Sequence, residues 1–145
     1  MFWVELSTSS YWATYGLISQ ADLTGENRKR LIRLYRSSLP SFAIVDFDDD
    51  RLYWLDSGNV YFLPLGNKYA YRRRLTYFRE KINPVDLAVY GDNLYWVDSN
   101  GRSIYWVNKA QPRDMFSFGY LTDGILVGAV VSDESRQPIS KLWIH

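Results

Sequence analysis

The 145-residue chain has no cysteine and a single histidine, His145 at its last position. The first absence excludes a disulfide framework and a thiolate-bound zinc, and the second leaves no partner imidazole for a multi-histidine metal centre. Net charge is also scarce, with 17 basic residues against 16 acidic ones, whereas a dedicated nucleic-acid binder shows a clear basic excess. No apolar run approaches the ~18 residues that a membrane-spanning helix needs. The opening Met1-Phe2-Trp3-Val4-Glu5 lacks the basic start and apolar stretch of a secretory signal, so the expectation is a cytosolic protein or an interior piece of a longer chain. Glycine-rich phosphate loops, nucleophile elbows and Asn-x-Ser/Thr sequons are missing as well.

Aromatic residues are what the chain has in excess. They make up 17% of it, with 12 tyrosines and 6 tryptophans, and such residues favour strands and half-buried sheet surfaces. Hydrophobic residues at 47% and charged ones at 23% describe a core-forming polypeptide, long enough for one ordinary domain. The expected class is all-β.

The aromatic residues recur in register. Leu52-Tyr53-Trp54-Leu55-Asp56 returns 42 residues later as Leu94-Tyr95-Trp96-Val97-Asp98, and a weaker copy, Met1-Phe2-Trp3-Val4-Glu5, opens the chain. Each copy is followed by a second apolar strand, in which Ile18, Val60 and Ile104 are equivalent. The second and third copies are preceded by Phe42-Ala43-Ile44-Val45-Asp46 and Val85-Asp86-Leu87-Ala88-Val89-Tyr90, introduced by Pro40 and Pro84. A fourth such strand, Ile125 to Val131, begins a new unit. More polar outer strands follow at Arg28 to Arg33, Ala70 to Leu75 and Asp114 to Phe118. Four short strands at a period of ~40–45 residues describe a propeller blade. The nearly continuous apolar character of the aromatic strand fits a sheet covered on both faces. A tyrosine-rich sandwich is the alternative. The expectation is four-stranded sheets around an axis, with the proline-introduced strands innermost and Leu52, Trp54, Leu94, Trp96, Ile44, Leu87 and Val89 buried.

These strands, the turn Leu23-Thr24-Gly25 and the late Arg136-Gln137-Pro138 resemble the YWTD repeat, or low-density-lipoprotein-receptor class B repeat, of six-bladed extracellular propellers. The family's threonine is replaced by Val4, Leu55 and Val97. Six blades would need roughly 250 residues, so the resemblance implies about the C-terminal half of a propeller, with units at roughly 1–38, 39–81 and 82–122 and a further blade starting over 123–138. It implies a non-catalytic module without cofactor or metal, on the extracellular side of the plasma membrane in a single-pass endocytic receptor. Its partners would be a protein ligand, neighbouring domains of the same chain and the missing blades, with no nucleic acid and no membrane insertion by this segment. In endocytic receptors the closing signal usually leads into a cysteine-rich module, yet 139–145 contains no cysteine. Sevenless-type receptor tyrosine kinases, whose repeats are similarly degenerate, are therefore an alternative, and a fragment of a six-bladed propeller hydrolase is a third.

Several constellations bear on function. Asp46, Asp48, Asp49 and Asp50 crowd one turn, where carboxylates can ligate a hard cation or line a solvated connection. Asp56 and Asp98, with Glu5, end the aromatic strands and are expected to accept from backbone donors of a neighbouring loop. The basic runs Arg28-Lys29-Arg30 with Arg33 and Arg36, and Arg72-Arg73-Arg74 with Arg79 and Lys81, read as an anionic-ligand surface or as charges that discourage edge pairing. Tyr11, Trp12 and Tyr15 fall in a serine-rich insertion over 6–15, a loop beyond the blade core. Alternating strand direction puts Tyr77, Phe78, Arg79 and Asn83 at one end of the blades with Ser99, Asn100, Gly101, Arg102 and Tyr120, and Asp48 to Asp50 at the other. Aromatic, arginine and amide side chains suit a binding hot spot, so Tyr77, Phe78, Arg79, Asn100, Arg102 and Tyr120 are the candidate ligand contacts.

Overall fold

The computed structural model describes residues 1–8, 14–34, 40–67, 70–76, 84–100 and 103–118. Among them every regular element is a strand, eleven in all: β1 Phe2–Thr8, β2 Thr14–Gln20, β3 Lys29–Arg33, β4 Pro40–Asp46, β5 Arg51–Asp56, β6 Asn59–Pro64, β7 Arg73–Arg74, β8 Pro84–Tyr90, β9 Asn93–Asp98, β10 Ser103–Asn108 and β11 Met115–Phe118. They form three antiparallel meanders in chain order, β1-β2-β3, β4-β5-β6-β7 and β8-β9-β10-β11. The first sheet has three strands among the described residues rather than the expected four. The candidate strand Ile125 to Val131 lies outside the described residues.

The aromatic repeats occupy equivalent places. Tyr53 pairs with Phe62, and Tyr95 with Trp106. Trp54 stacks on Tyr61 and Trp96 on Tyr105, each with ring centroids 5.9 Å apart. Each proline-introduced strand carries a bulge directly after its entry, between Ser41 and Ala43 in β4 and between Pro84 and Asp86 in β8. A bulge bends the strand and sharpens its twist where it enters the sheet.

The core lies between the sheets. Side chains of β5 alternate, as strand geometry requires: Leu52 and Trp54 face Ile18 and Leu34 of the first unit, while Tyr53 and Leu55 face Leu87, Leu94, Trp96 and Val107 of the third sheet. Both faces are sealed, which is why β5 reads as an uninterrupted apolar run. Large side chains sealed in this way each contribute about 1.5–3 kcal/mol. Ile44 and Val89 are half-buried rather than buried, since they sit on the innermost strands at the border of that core. The polar outer strands are present but shorter than the sequence suggests, with Arg73–Arg74 the paired part of the second.

Close approach between units falls on Gly16. A Cβ there would enter the van der Waals shell of the Pro40 ring and crowd Leu34, so a side chain would push β4 away from the first sheet.

Candidate functional site

One end of the stack carries the entries of β4 and β8 and the turns after β5 and β9. Asp56 and Asp98 hold these turns, Asp98 through a backbone donor of the adjoining loop and Asp56 through side-chain donors. Asp98 Oδ1 accepts the N–H of Asn100 at 3.1 Å, and Asp56 Oδ1 accepts the Ser57 hydroxyl at 3.0 Å. Asp56, buried, also pairs with Arg72 at 3.3 Å, and that guanidinium lies 5.0 Å above the Tyr61 ring. Glu5 accepts the Ser19 hydroxyl at 3.0 Å, inside its own sheet.

Of the predicted ligand contacts, Asn100 is placed at this end and is exposed. Tyr77, Phe78, Arg79, Asn83, Gly101, Arg102 and Tyr120 lie outside the described residues, as do Tyr11 and Trp12. The structure adds a residue that the sequence reading missed. Phe42, inside the β4 bulge, has φ 46° and is 47% exposed, and a bulky residue in the left-handed region is a strained one. An apolar ring held at strain in solvent at a blade end has the character of a contact residue. No pattern in the sequence signals it, because Phe42 reads as an ordinary strand aromatic.

The opposite end carries the acidic turn. Asp46 is buried, and both its carboxylate oxygens are used: Oδ1 accepts the N–H groups of Asp48 at 3.1 Å and Asp49 at 3.4 Å, and Oδ2 accepts Lys109 Nζ at 2.5 Å. Lys109 also reaches Asp49 at 3.1 Å. A lysine from the third sheet therefore stands where the sequence left room for a metal cation, and no metal-holding group of carboxylates is present among the described residues. Burial pulls the Lys109 ammonium toward deprotonation, but its bonds to Asp46 and Asp49 outweigh that and raise its pKa above the ordinary lysine value. The signal for this contact is a broken repeat: Leu65 N–H bonds Asp50 O, Lys109 N–H bonds Asp92 O, and a lysine thus occupies the place of a leucine.

Of the basic runs, Lys29, Arg30 and Arg33 lie exposed on β3 and Arg73 and Arg74 on β7, where arginines lean on rings: Arg33 is 4.1 Å above Tyr15 and Arg73 is 5.1 Å from the Tyr71 centroid. Arg36, Arg79 and Lys81 lie outside the described residues. The 6–15 insertion begins and ends as strand, with Leu6 opposite Gly16, Ser7 opposite Tyr15 and Thr8 opposite Thr14. It lengthens the β1–β2 hairpin instead of forming a separate loop from its first residue. Burial raises the Tyr53 phenol pKa against the opposing pull of Arg51, whose own pKa the hydrogen bond to Tyr53 raises.

No family model matches the chain. It is 32% identical over 101 residues to protein cueball of Drosophila erecta, a match that takes in 66% of this chain and 16% of that protein. It is 25% identical to the vitellogenin receptor of Solenopsis invicta and 27% identical to the vitellogenin receptor Yl of Drosophila melanogaster, each over 79% of this chain but 6% and 5% of theirs. The chain thus spans a small part of these relatives. A chain from the crystal structure of a nidogen/laminin complex superposes with a TM-score of 0.64 at 22% identity, covering 86% of this chain and 50% of that one. With the repeated meanders stacked face to face, that likeness shows the fold: the three sheets are blades of a β-propeller, and in sequence the chain is similar to vitellogenin receptors.

Proposed function

We propose that the chain is a non-catalytic, protein-binding propeller segment from the extracellular part of a single-pass endocytic receptor of low-density-lipoprotein-receptor type. The observation that carries this reading is its similarity to two vitellogenin receptors over 79% of its length. The sheets support it, because blades sealed on both faces form a rigid scaffold whose blade ends are free to vary. The ligand-bearing end is the one with Asn100 and Phe42, to which Tyr77, Phe78, Arg79, Arg102 and Tyr120 also belong by strand direction. Vitellogenins, the ligands that the relatives' names state, are the first to try. Further blades complete the propeller, since this chain corresponds to half of the superposed solved chain.

The test is uptake of labelled vitellogenin by cells displaying the full-length receptor that carries this segment. Deleting the propeller should abolish uptake or intracellular release while leaving surface display intact. Unchanged uptake and release after the deletion would reject the reading.

A further inference from the structure

A cleft of about 510 Å³ opens on the flank where the second and third blades meet, between the outer strands and the acidic-turn end. Its wall on the second blade carries Arg51, Phe62 and Arg73, set over the buried Tyr53. Arg51 and Tyr53, two residues apart, share a face of the sheet, Phe62 is opposite Tyr53, and Arg73 is opposite Phe62. The Phe62 ring therefore lies between two guanidinium-bearing positions. Arg51 stands 5.0 Å above that ring and is steadied by bonds of 3.4 Å to Asp49 and to the Tyr53 hydroxyl. Arg73 is exposed on the outermost strand of its sheet. Asp92 and Pro112 line the opposite wall.

The charge of the lining is unbalanced. Arg51, Arg73, Arg74 and Lys109 line it with Asp49 and Asp92, and Lys109 is held in the floor by the buried Asp46 and by Asp49, which Arg51 also reaches. The remainder is positive and set around an aromatic ring. A planar guanidinium matches a carboxylate through two parallel hydrogen bonds, and Phe62 and Pro112 offer apolar surface to whatever adjoins it. A polyanion without apolar groups would leave the Phe62 and Pro112 walls unused.

We propose that this cleft binds an acidic segment of a protein partner, with one carboxylate between Arg51 and Arg73 and a neighbouring apolar side chain against Phe62 and Pro112. The site is on the flank, not on the blade end assigned to the main ligand, so it does not depend on that assignment.

The experiment uses the full-length protein carrying this propeller and a fluorescein-labelled peptide of alternating glutamate and phenylalanine, followed by anisotropy at physiological salt. Binding should weaken about ten-fold, equivalent to roughly 1.4 kcal/mol, in Arg73→Glu, whose exposed side chain can change without touching the core. Arg51→Lys should weaken it by less, because a charge remains but the fork is lost, and Asp92→Asn should tighten it. Peptide affinity unaffected by Arg73→Glu, or weakened by Asp92→Asn, overturns the proposal. So does preferential binding of a heparin oligosaccharide that is lost in Arg73→Glu while the peptide does not bind.

Discussion

Lys109 and Asp46 are 63 residues apart in the chain, yet their ammonium and carboxylate stand 2.5 Å apart and buried between the second and third blades. Taking two charges out of water is costly, and the geometry recovers this only while both are present. Lys109→Met should therefore cost about 3–5 kcal/mol by leaving the Asp46 carboxylate alone, and adding Asp46→Asn should restore part of that loss. Urea unfolding of the complete propeller, in a double-mutant cycle, measures both.

The same pair sets an alkaline limit. Because the folded pKa of Lys109 lies above the ordinary lysine value of 10.5, its contribution to stability is fully present below that pH and is lost as pH rises through the folded value. Wild-type stability should fall above about pH 10.5 more steeply than that of the Lys109→Met, Asp46→Asn double variant. Parallel profiles would contradict the assignment.

Gly16→Ala should destabilise by about 1–3 kcal/mol, as overpacking does, because the new methyl meets the rigid Pro40 ring rather than a flexible side chain. The thermal midpoint is the readout, and Gly91→Ala, with open space but φ 53°, is a control in which backbone conformation alone is at stake.

The outer strand of the third blade exposes apolar rings where that of the second carries arginines. Trp106, Phe116 and Phe118 lie on the third blade's outward face, with Trp106 and Phe116 stacked at 4.5 Å and both phenylalanines about half exposed. Exposed apolar patches drive association, so the isolated 145-residue chain should self-associate or bind a hydrophobic dye. Phe116→Ser with Phe118→Ser should reduce that binding. A monodisperse, cooperatively unfolding wild-type monomer with no dye binding would show that the sheets are not consecutive blades awaiting a neighbour.

Much of this architecture is legible in the sequence because it repeats. The 42-residue return of Leu-Tyr-Trp gives β5 and β9, Pro40 and Pro84 mark the strands that open the second and third sheets, and the arginine-rich runs mark the outer strands of the first two. The contacts between repeats are another matter. Nothing local distinguishes Asp46, which meets a lysine of the next blade, from Asp48 to Asp50, which do not share its burial. Nor does Phe42 differ in sequence from a buried strand aromatic, since its exposure follows from a one-residue bulge. Among the predicted ligand contacts, only Asn100 falls on described residues, so the binding end rests on strand direction and on Phe42.

Phe42→Gly separates strain from packing. Glycine adopts φ 46° without steric penalty, so folding stability should be unchanged or higher, while affinity for the proposed protein ligand falls. A loss of stability of more than about 1 kcal/mol, the order of a glycine's own entropic penalty, would show that the ring packs instead of recognising.

The most direct test compares ligand affinity of the full-length protein carrying this propeller after changes at the two blade ends. Arg79→Ala with Arg102→Ala should weaken binding by more than about 1 kcal/mol, as hot-spot residues do, while Asp48→Asn with Asp50→Asn leaves it unchanged. A silent arginine pair together with binding abolished by the aspartate changes would place the ligand on the opposite end and contradict the account.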